Sequence, residues 1–203
     1  NGKNDENLIE MIWQVYEFSR SHPWPEEWLE ECKKNYDIDT LEDLISSEWM
    51  KMICEQVDQT LNDLEMIRTE ALKVANSPYG PWMYADALEQ DGEILKQLSK
   101  GNDYAEYARR FLNIRKFAVL SRKKDEEVSD EKREQVKLLR DQIKKGIASL
   151  QEQYFYQSPQ EMLEELKAGK VSAQMLLMLA SEFGLRFTEK KRERNLLDFS
   201  DLE

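Results

Sequence analysis

SEWMKMICEQVDQTLNDLEMIRTEALKVA, Ser47 to Ala75, decides the fold. Met50, Cys54, Val57, Leu61, Leu64, Ala71 and Ala75 recur at spacings built from four and three, without a glycine or proline between them. Such a row lies on one face of a long helix and suits coiled-coil-like packing against a second long helix. Ser46 or Ser47 supplies a capping hydroxyl, and SPYGP, residues 77–81, ends the element. Working outward, two further long helices are expected. Residues 129–155 carry Val136, Leu139, Ile143, Ile147, Leu150 and Tyr154. Residues 171–194 are apolar early (Met175, Leu176, Leu179, Phe183) and basic late (Arg186, Lys190, Lys191, Arg192, Arg194).

Shorter helices fill most of the rest. One is expected over 5–21 with an apolar stripe of Leu8, Ile12, Val15 or Tyr16, and Phe18; HPWP, residues 22–25, breaks it and places Pro25 in the first turn of the next. Thr40 with Asp43 opens a short one, another runs to about Ser99, and Asp103 with Glu106 forms a capping box for a helix to about Leu112. Ser158-Pro159-Gln160-Glu161 combines a capping box with proline at the first helical position. Residues 113–128 show no period and read as a loop or extended arm. With only 7 Gly and 5 Pro and almost no β-branched runs, the fold class is all-α: several long antiparallel helices plus short ones. At most a short extended pair is expected near 113–124. The three longest helices are expected within 47–76, 129–156 and 171–195.

The chain has 203 residues and 34% charged residues, yet 5 Trp, 8 Tyr, 7 Phe and 8 Met provide core material. That mixture indicates a soluble helical protein of cytoplasmic type rather than a disordered one. Cys32 and Cys54 lack metal-type spacing and read as reduced thiols; no apolar run approaches a membrane span. The net charge of −12 hides an asymmetry. Residues 1–108 hold 9 Lys/Arg against 24 Asp/Glu, whereas 109–124 hold seven basic residues and no acid: Arg109, Arg110, Arg115, Lys116, Arg122, Lys123 and Lys124. Interleaved with Phe111, Leu112, Ile114 and Phe117, these cations fit either an arm that presents charge to phosphates or a solvated loop.

Chemistry of other kinds finds no footing. There is no GxxxxGK[ST] to cradle a nucleotide's phosphates. His22 is the only histidine, which removes HExxH and any triad, and it reads as structural or exposed. Trp13, Trp24, Trp28, Trp49 and Trp82 sit beside apolar residues and are expected in the core rather than stacked on bases. At the C-terminal end, LLDFSDLE (196–203) pairs Ser200 with Glu203 as a capping box, with Asp198 and Asp201 near the same positive helix terminus. It reads as the start of a helix, as though the stretch continued into a further domain; the Asn1–Gly2 start likewise suggests a cut or tag remnant.

YEFSRSHPWPEEWL (16–29), NSPYGPWMYADALEQD (76–91), FLNIRKFAVLSRKKDEEVSDEKREQVKLLRDQIKK (111–145), YFYQSPQEML (154–163) and RERNLLDFSDLE (192–203) together resemble, in order, the A subunit of the AddAB-type bacterial helicase–nucleases. These are UvrD-like superfamily 1 DNA helicases fused to a nuclease. The resemblance implies that 1–195 is a helical, 1B-type accessory subdomain inserted in a motor domain, and that 196–203 begins the return to it. It also implies a parent that translocates 3′–5′ and processes double-strand breaks for repair and recombination. That parent would use ATP and Mg, with no catalytic centre or cofactor in this piece. Implied partners are duplex DNA, the motor domains of the same chain and the B subunit of the helicase–nuclease heterodimer. The residues expected to meet DNA phosphates are Arg115, Lys116, Arg122, Lys123 and Lys124. The competing expectation is an acidic helical module that binds a protein and no DNA.

Overall fold

The computed structural model describes the backbone of residues 2–196 and the side chains of 5–196. Among these residues there are eight α-helices and no strand: α1 (Gly2–Ser19), α2 (Pro25–Lys34), α3 (Leu41–Ser46), α4 (Glu48–Ala75), α5 (Ala85–Leu98), α6 (Tyr104–Leu112), α7 (Asp130–Tyr154) and α8 (Pro159–Glu193), with one 3-10 turn at Trp82–Tyr84. The all-α expectation holds. The helices fall into two compact units, residues 41–161 and residues 2–40 with 162–196. The expected re-entry into another domain lies at 197–203, outside the described residues, apart from Leu196.

Helix ends in the 41–161 unit follow the local chemistry. The Met50 N–H donates to Ser47 Oγ at 3.4 Å, the Glu106 N–H to Asp103 Oδ1 at 2.8 Å and the Lys132 N–H to Ser129 Oγ at 3.4 Å. Each bond satisfies one of the orphan donors at a helix start and contributes about 1 kcal/mol. Gly80 makes the turn after α4 possible, since a Cβ there would lie 2.3 Å from the carbonyl oxygen of Val74. Lys100, at φ 61°, takes the left-handed conformation that stops α5.

The core of this unit is the seam between α4 and α7. Met50, Val57, Leu61, Leu64, Ala71 and Ala75 are buried on α4; Val136, Arg140, Ile143, Ile147 and Leu150 are buried on α7. Gly146 faces Leu64, while Lys132 Nζ donates to Ser77 Oγ (2.9 Å) and the Pro78 carbonyl (2.7 Å) just past the end of α4. One helix advances as the other recedes, so the pair is antiparallel. Without a side chain at 146, Leu64 fills the space a Cβ would occupy, 2.6 Å from its Cδ2. Helices α5 and α6 flank the pair, and Phe155 stacks on Tyr104 and Phe111 at centroid distances of 5.5 and 4.3 Å.

In the other unit, α1 meets α8 through aromatic rings. Trp13 and Tyr16 approach Phe183 edge-on at 5.8 and 5.1 Å, and Phe183 stacks on Phe187 at 5.5 Å. Lys170 on α8 pairs with Asp37 (3.2 Å) and Asp39 (3.3 Å), fixing the turn after α2. His22 stacks on Trp28 at 4.4 Å with its Nε2 buried and without a hydrogen-bond partner.

Several expectations need correction. The helix expected at 171–195 is the C-terminal part of one 35-residue helix that begins at Pro159. Gly169 weakens it by about 1 kcal/mol, but neither a proline nor a capping residue near it ends the i→i−4 ladder. This helix also lacks a long packed row; of its apolar side chains only Leu163 and Ala180 are buried, so ring contacts replace the expected seam. The tryptophans are not buried: Trp13, Trp24 and Trp82 are exposed, and Trp28 and Trp49 half-buried. Leu8 and Phe18 are exposed as well; the covered face of α1 runs through Tyr16 and Ser19.

Candidate nucleic-acid interface

The basic segment separates into two kinds of cation. Arg110, in the last turn of α6, is structural. Its guanidinium donates to Glu106 Oε1 at 2.7 Å and to the carbonyl of Ser99, closing the α5–α6 connection. Glu106 also accepts the Asn102 N–H at 2.9 Å, and these donors hold its carboxyl below the usual range. Arg109 lies 3.7 Å from the same carboxylate but is otherwise exposed.

Arg115, Lys116, Arg122, Lys123 and Lys124 stand on the irregular arm that follows, and all five are exposed. None has a carboxylate within ion-pairing distance among the described residues. Two of the acids at 125–131 have other partners: Asp130 pairs with Arg133 at 3.1 Å, and Asp125 accepts from Trp82 Nε1 and the Glu127 N–H, each at 3.1 Å. Those two donors, indole first, depress the Asp125 carboxyl below its ordinary value. Arg115 and Lys116 border a shallow concavity of about 160 Å³ with Gln90, Glu93, Ile94 and Gln97. Lys123 extends its ammonium over the Trp82 ring, 4.2 Å from the centroid.

An arm without secondary structure needs other anchors, and they come from beneath. Ala118 offers its carbonyl to Arg140 Nη2 at 2.6 Å. Leu120 packs on a cluster of Ala71, Ala75, Met83, Tyr84, Leu88, Val128 and Val136. Phe117 lies under Lys144, 5.6 Å away. The Asp125 carbonyl accepts from Arg133 at 2.7 Å. The Ala118 carbonyl and the Leu120 side chain are engaged from beneath, whereas Val119 and the five cations are exposed, so the arm presents charge along an anchored path.

Sequence reasoning misses Arg140 and Asp91. Both are buried and joined at 2.6 and 2.9 Å, at the centre of the platform that carries the arm. A signal for them exists: each is a charged residue in a core-facing row, Ala87-Leu88-Asp91-Ile94-Leu95-Leu98 on α5 and Val136-Arg140-Ile143-Ile147-Leu150 on α7. A buried charge is tolerated when its partner is buried beside it.

Among the described residues, no group of three or more His, Cys, Asp or Glu side chains is arranged to hold a metal ion, and no helix is long and apolar enough to cross a membrane. Cys32 and Cys54 are free thiols; burial pushes Cys32 up and Cys54 up to about 11.

No family model matches the chain. It is similar to proteins named as the A subunit of ATP-dependent helicase/nuclease. The protein of that name from Lachnoclostridium phytofermentans is 36% identical over 206 residues, covering 99% of this chain and 15% of the relative. Those from Clostridium beijerinckii and Geobacillus kaustophilus are 33% and 32% identical over 203 residues, covering 99% of this chain and 16% of each relative. The chain thus spans less than a fifth of the length of the relatives it matches.

Proposed function

Because this chain belongs to the family of ATP-dependent helicase/nuclease A subunits, matching one segment of its members, we propose that it serves such an enzyme as a helical accessory region that grips duplex DNA near the unwinding junction. The observation that carries this reading is the arm. Five exposed cations without carboxylate partners stand on a backbone fixed from below by Arg140 and Leu120. Phosphate contacts of this kind supply affinity and position without reading sequence, as a motor that moves along any DNA requires.

In this reading 1–195 acts as a 1B-type insertion, with motor and nuclease domains elsewhere in the full-length protein. Nucleotide and metal chemistry is assigned to those other domains, and 3′–5′ unwinding with strand degradation at double-strand breaks to the whole enzyme, acting in the cytoplasm with its B subunit. The acidic face of α2, where Glu26, Glu27, Glu30 and Glu31 line one concavity, repels phosphates and suits contact with a protein partner.

The test is junction binding by the full-length enzyme across a salt series, with Arg115, Lys116, Arg122, Lys123 and Lys124 reversed to Glu. Loss of about three phosphate contacts flattens the log K against log salt slope by roughly 2.7, at about 0.9 per contact. Unwinding should fall more than ATP turnover on single strands, and sequence preference should not change. Identical slopes would assign the region to protein binding instead.

A further inference from the structure

The geometry points to Trp82 as a stacking platform for an unpaired DNA base, served by Lys123 and its neighbours as the contacts to that nucleotide's phosphates. This inference rests on the DNA-gripping role above and adds a second ligand chemistry at one end of the arm.

Trp82 is an unusual surface residue. It is 47% exposed although the residues after it, Met83 and Tyr84, are buried and lock the 3-10 turn in place. Its indole N–H is committed to Asp125 at 3.1 Å, and Asp125 is itself fixed by the Glu127 N–H and, through its carbonyl, by Arg133. The ring is held by its edge with a face turned to the outside. What occupies the space above the ring is the Lys123 ammonium, 4.2 Å from the centroid. A lysine stem is flexible and its head readily re-solvated, so this cover can leave without disturbing the turn.

Charge decides between possible occupants. Lys123 lies over the ring, with the exposed Arg122 and Lys124 beside it in sequence, while the acid in contact with the ring, Asp125, is engaged by the indole itself. A protein partner would have to bring both an apolar plug and several carboxylates. A strand of DNA brings a planar π-face and adjacent phosphates in every nucleotide, and aromatic platforms beside cations are the general means of holding unpaired strands. A paired base within a duplex cannot stack on a ring from the side, so the ligand is a base already separated from its complement.

The experiment compares three probes with the full-length enzyme: a blunt duplex, the same duplex with a single-stranded tail, and that duplex with an abasic tail that keeps its phosphates. Trp82→Leu removes the ring, and Trp82→Phe keeps a ring while losing the bond to Asp125. The wild type should prefer the normal tail over the abasic one, and Trp82→Leu should cut that preference about tenfold, within the range for one base–aromatic stack. Trp82→Phe should retain most of it, and a 2-aminopurine in the tail should be quenched by wild type but not by Trp82→Leu. Blunt-duplex affinity and its salt slope should be equal in all three proteins. An unchanged normal-to-abasic ratio in Trp82→Leu overturns the inference, as does a parallel loss on blunt and tailed probes, which marks a structural role. No preference in the wild type beside an intact, arm-dependent salt slope would reassign Trp82 to a protein partner and leave the phosphate contacts standing. Failure of the arm-dependent slope is a separate result, read on the blunt duplex.

Discussion

Arg140 and Asp91 meet side by side in the interior of the 41–161 unit, Nε to Oδ2 at 2.6 Å and Nη2 to Oδ1 at 2.9 Å, with 2% and 0% of their side chains exposed. Nη2 also donates to the carbonyl of Ala118, so one buried pair ties α5, α7 and the arm together.

Removing one partner should therefore be far worse than removing both. Arg140→Met or Asp91→Asn leaves an uncompensated buried group and should cost about 3–5 kcal/mol in urea unfolding. The double replacement Arg140→Met with Asp91→Leu should recover much of that loss. Even so, it should leave faster amide exchange over 114–124, because the arm has lost its central tie. Slow exchange in the double variant would show the arm is held without Arg140.

Two mid-helix glycines should respond in opposite directions to alanine. At Gly169 nothing lies within 4 Å of an added Cβ, so Gly169→Ala should stabilise α8 by about 0.5–1 kcal/mol through helix propensity. At Gly146 the new methyl would press on Leu64 inside the α4–α7 seam, and overpacking should outweigh propensity by about 1–2 kcal/mol. Thermal melts of the two variants give the signs directly.

Arg110 belongs to the basic run by sequence but not by role. Arg110→Ala should lower stability by about 1–2 kcal/mol, since the carbonyl of Ser99 loses its donor. The salt dependence of DNA binding should not move. A flattened salt slope in this variant would place Arg110 among the phosphate contacts.

Alkaline pH should destabilise the 41–161 unit. Burial raises the Cys54 thiol from 9.0 to about 11 and the Tyr104 hydroxyl from 10.0 to about 12; burial and the bond to Asp58 raise Tyr107 further. Each native group keeps its proton where the unfolded chain has lost it. Their contribution is full below pH 9 and disappears as pH climbs through the native values. Cys54→Ala should flatten the part of that decline between about pH 9 and 11; an unchanged curve would show the thiol does not titrate late in the native protein.

Much of this architecture is legible because local and tertiary signals agree. The α4 row and the Asp103 and Ser158 caps name their elements by spacing alone, and 113–128 announces an arm by having no period; the choice of Ser47 over Ser46 waits for the structure. Spacing cannot reveal that α8 runs through Gly169, because a glycine in open space weakens a helix without ending it. Nor can it reveal exposed tryptophans: beside Met83 and Tyr84, Trp82 reads as core, and only the turn geometry aims it outward. The Arg140–Asp91 pair is a tertiary fact. Each half resembles a solvated charge until two helical rows are laid against each other.

On the arm, Arg140 grips a peptide oxygen and not a side chain. Every amino acid at position 118 carries that same acceptor, so the route of the arm is independent of much of the lettering written along it. Mutation can therefore add, remove or exchange lysines and arginines between 115 and 124 without retooling the helices underneath. On the proposed DNA-binding role, the strength of the grip then becomes an evolvable dial, set by the charge of the arm while the scaffold stays still.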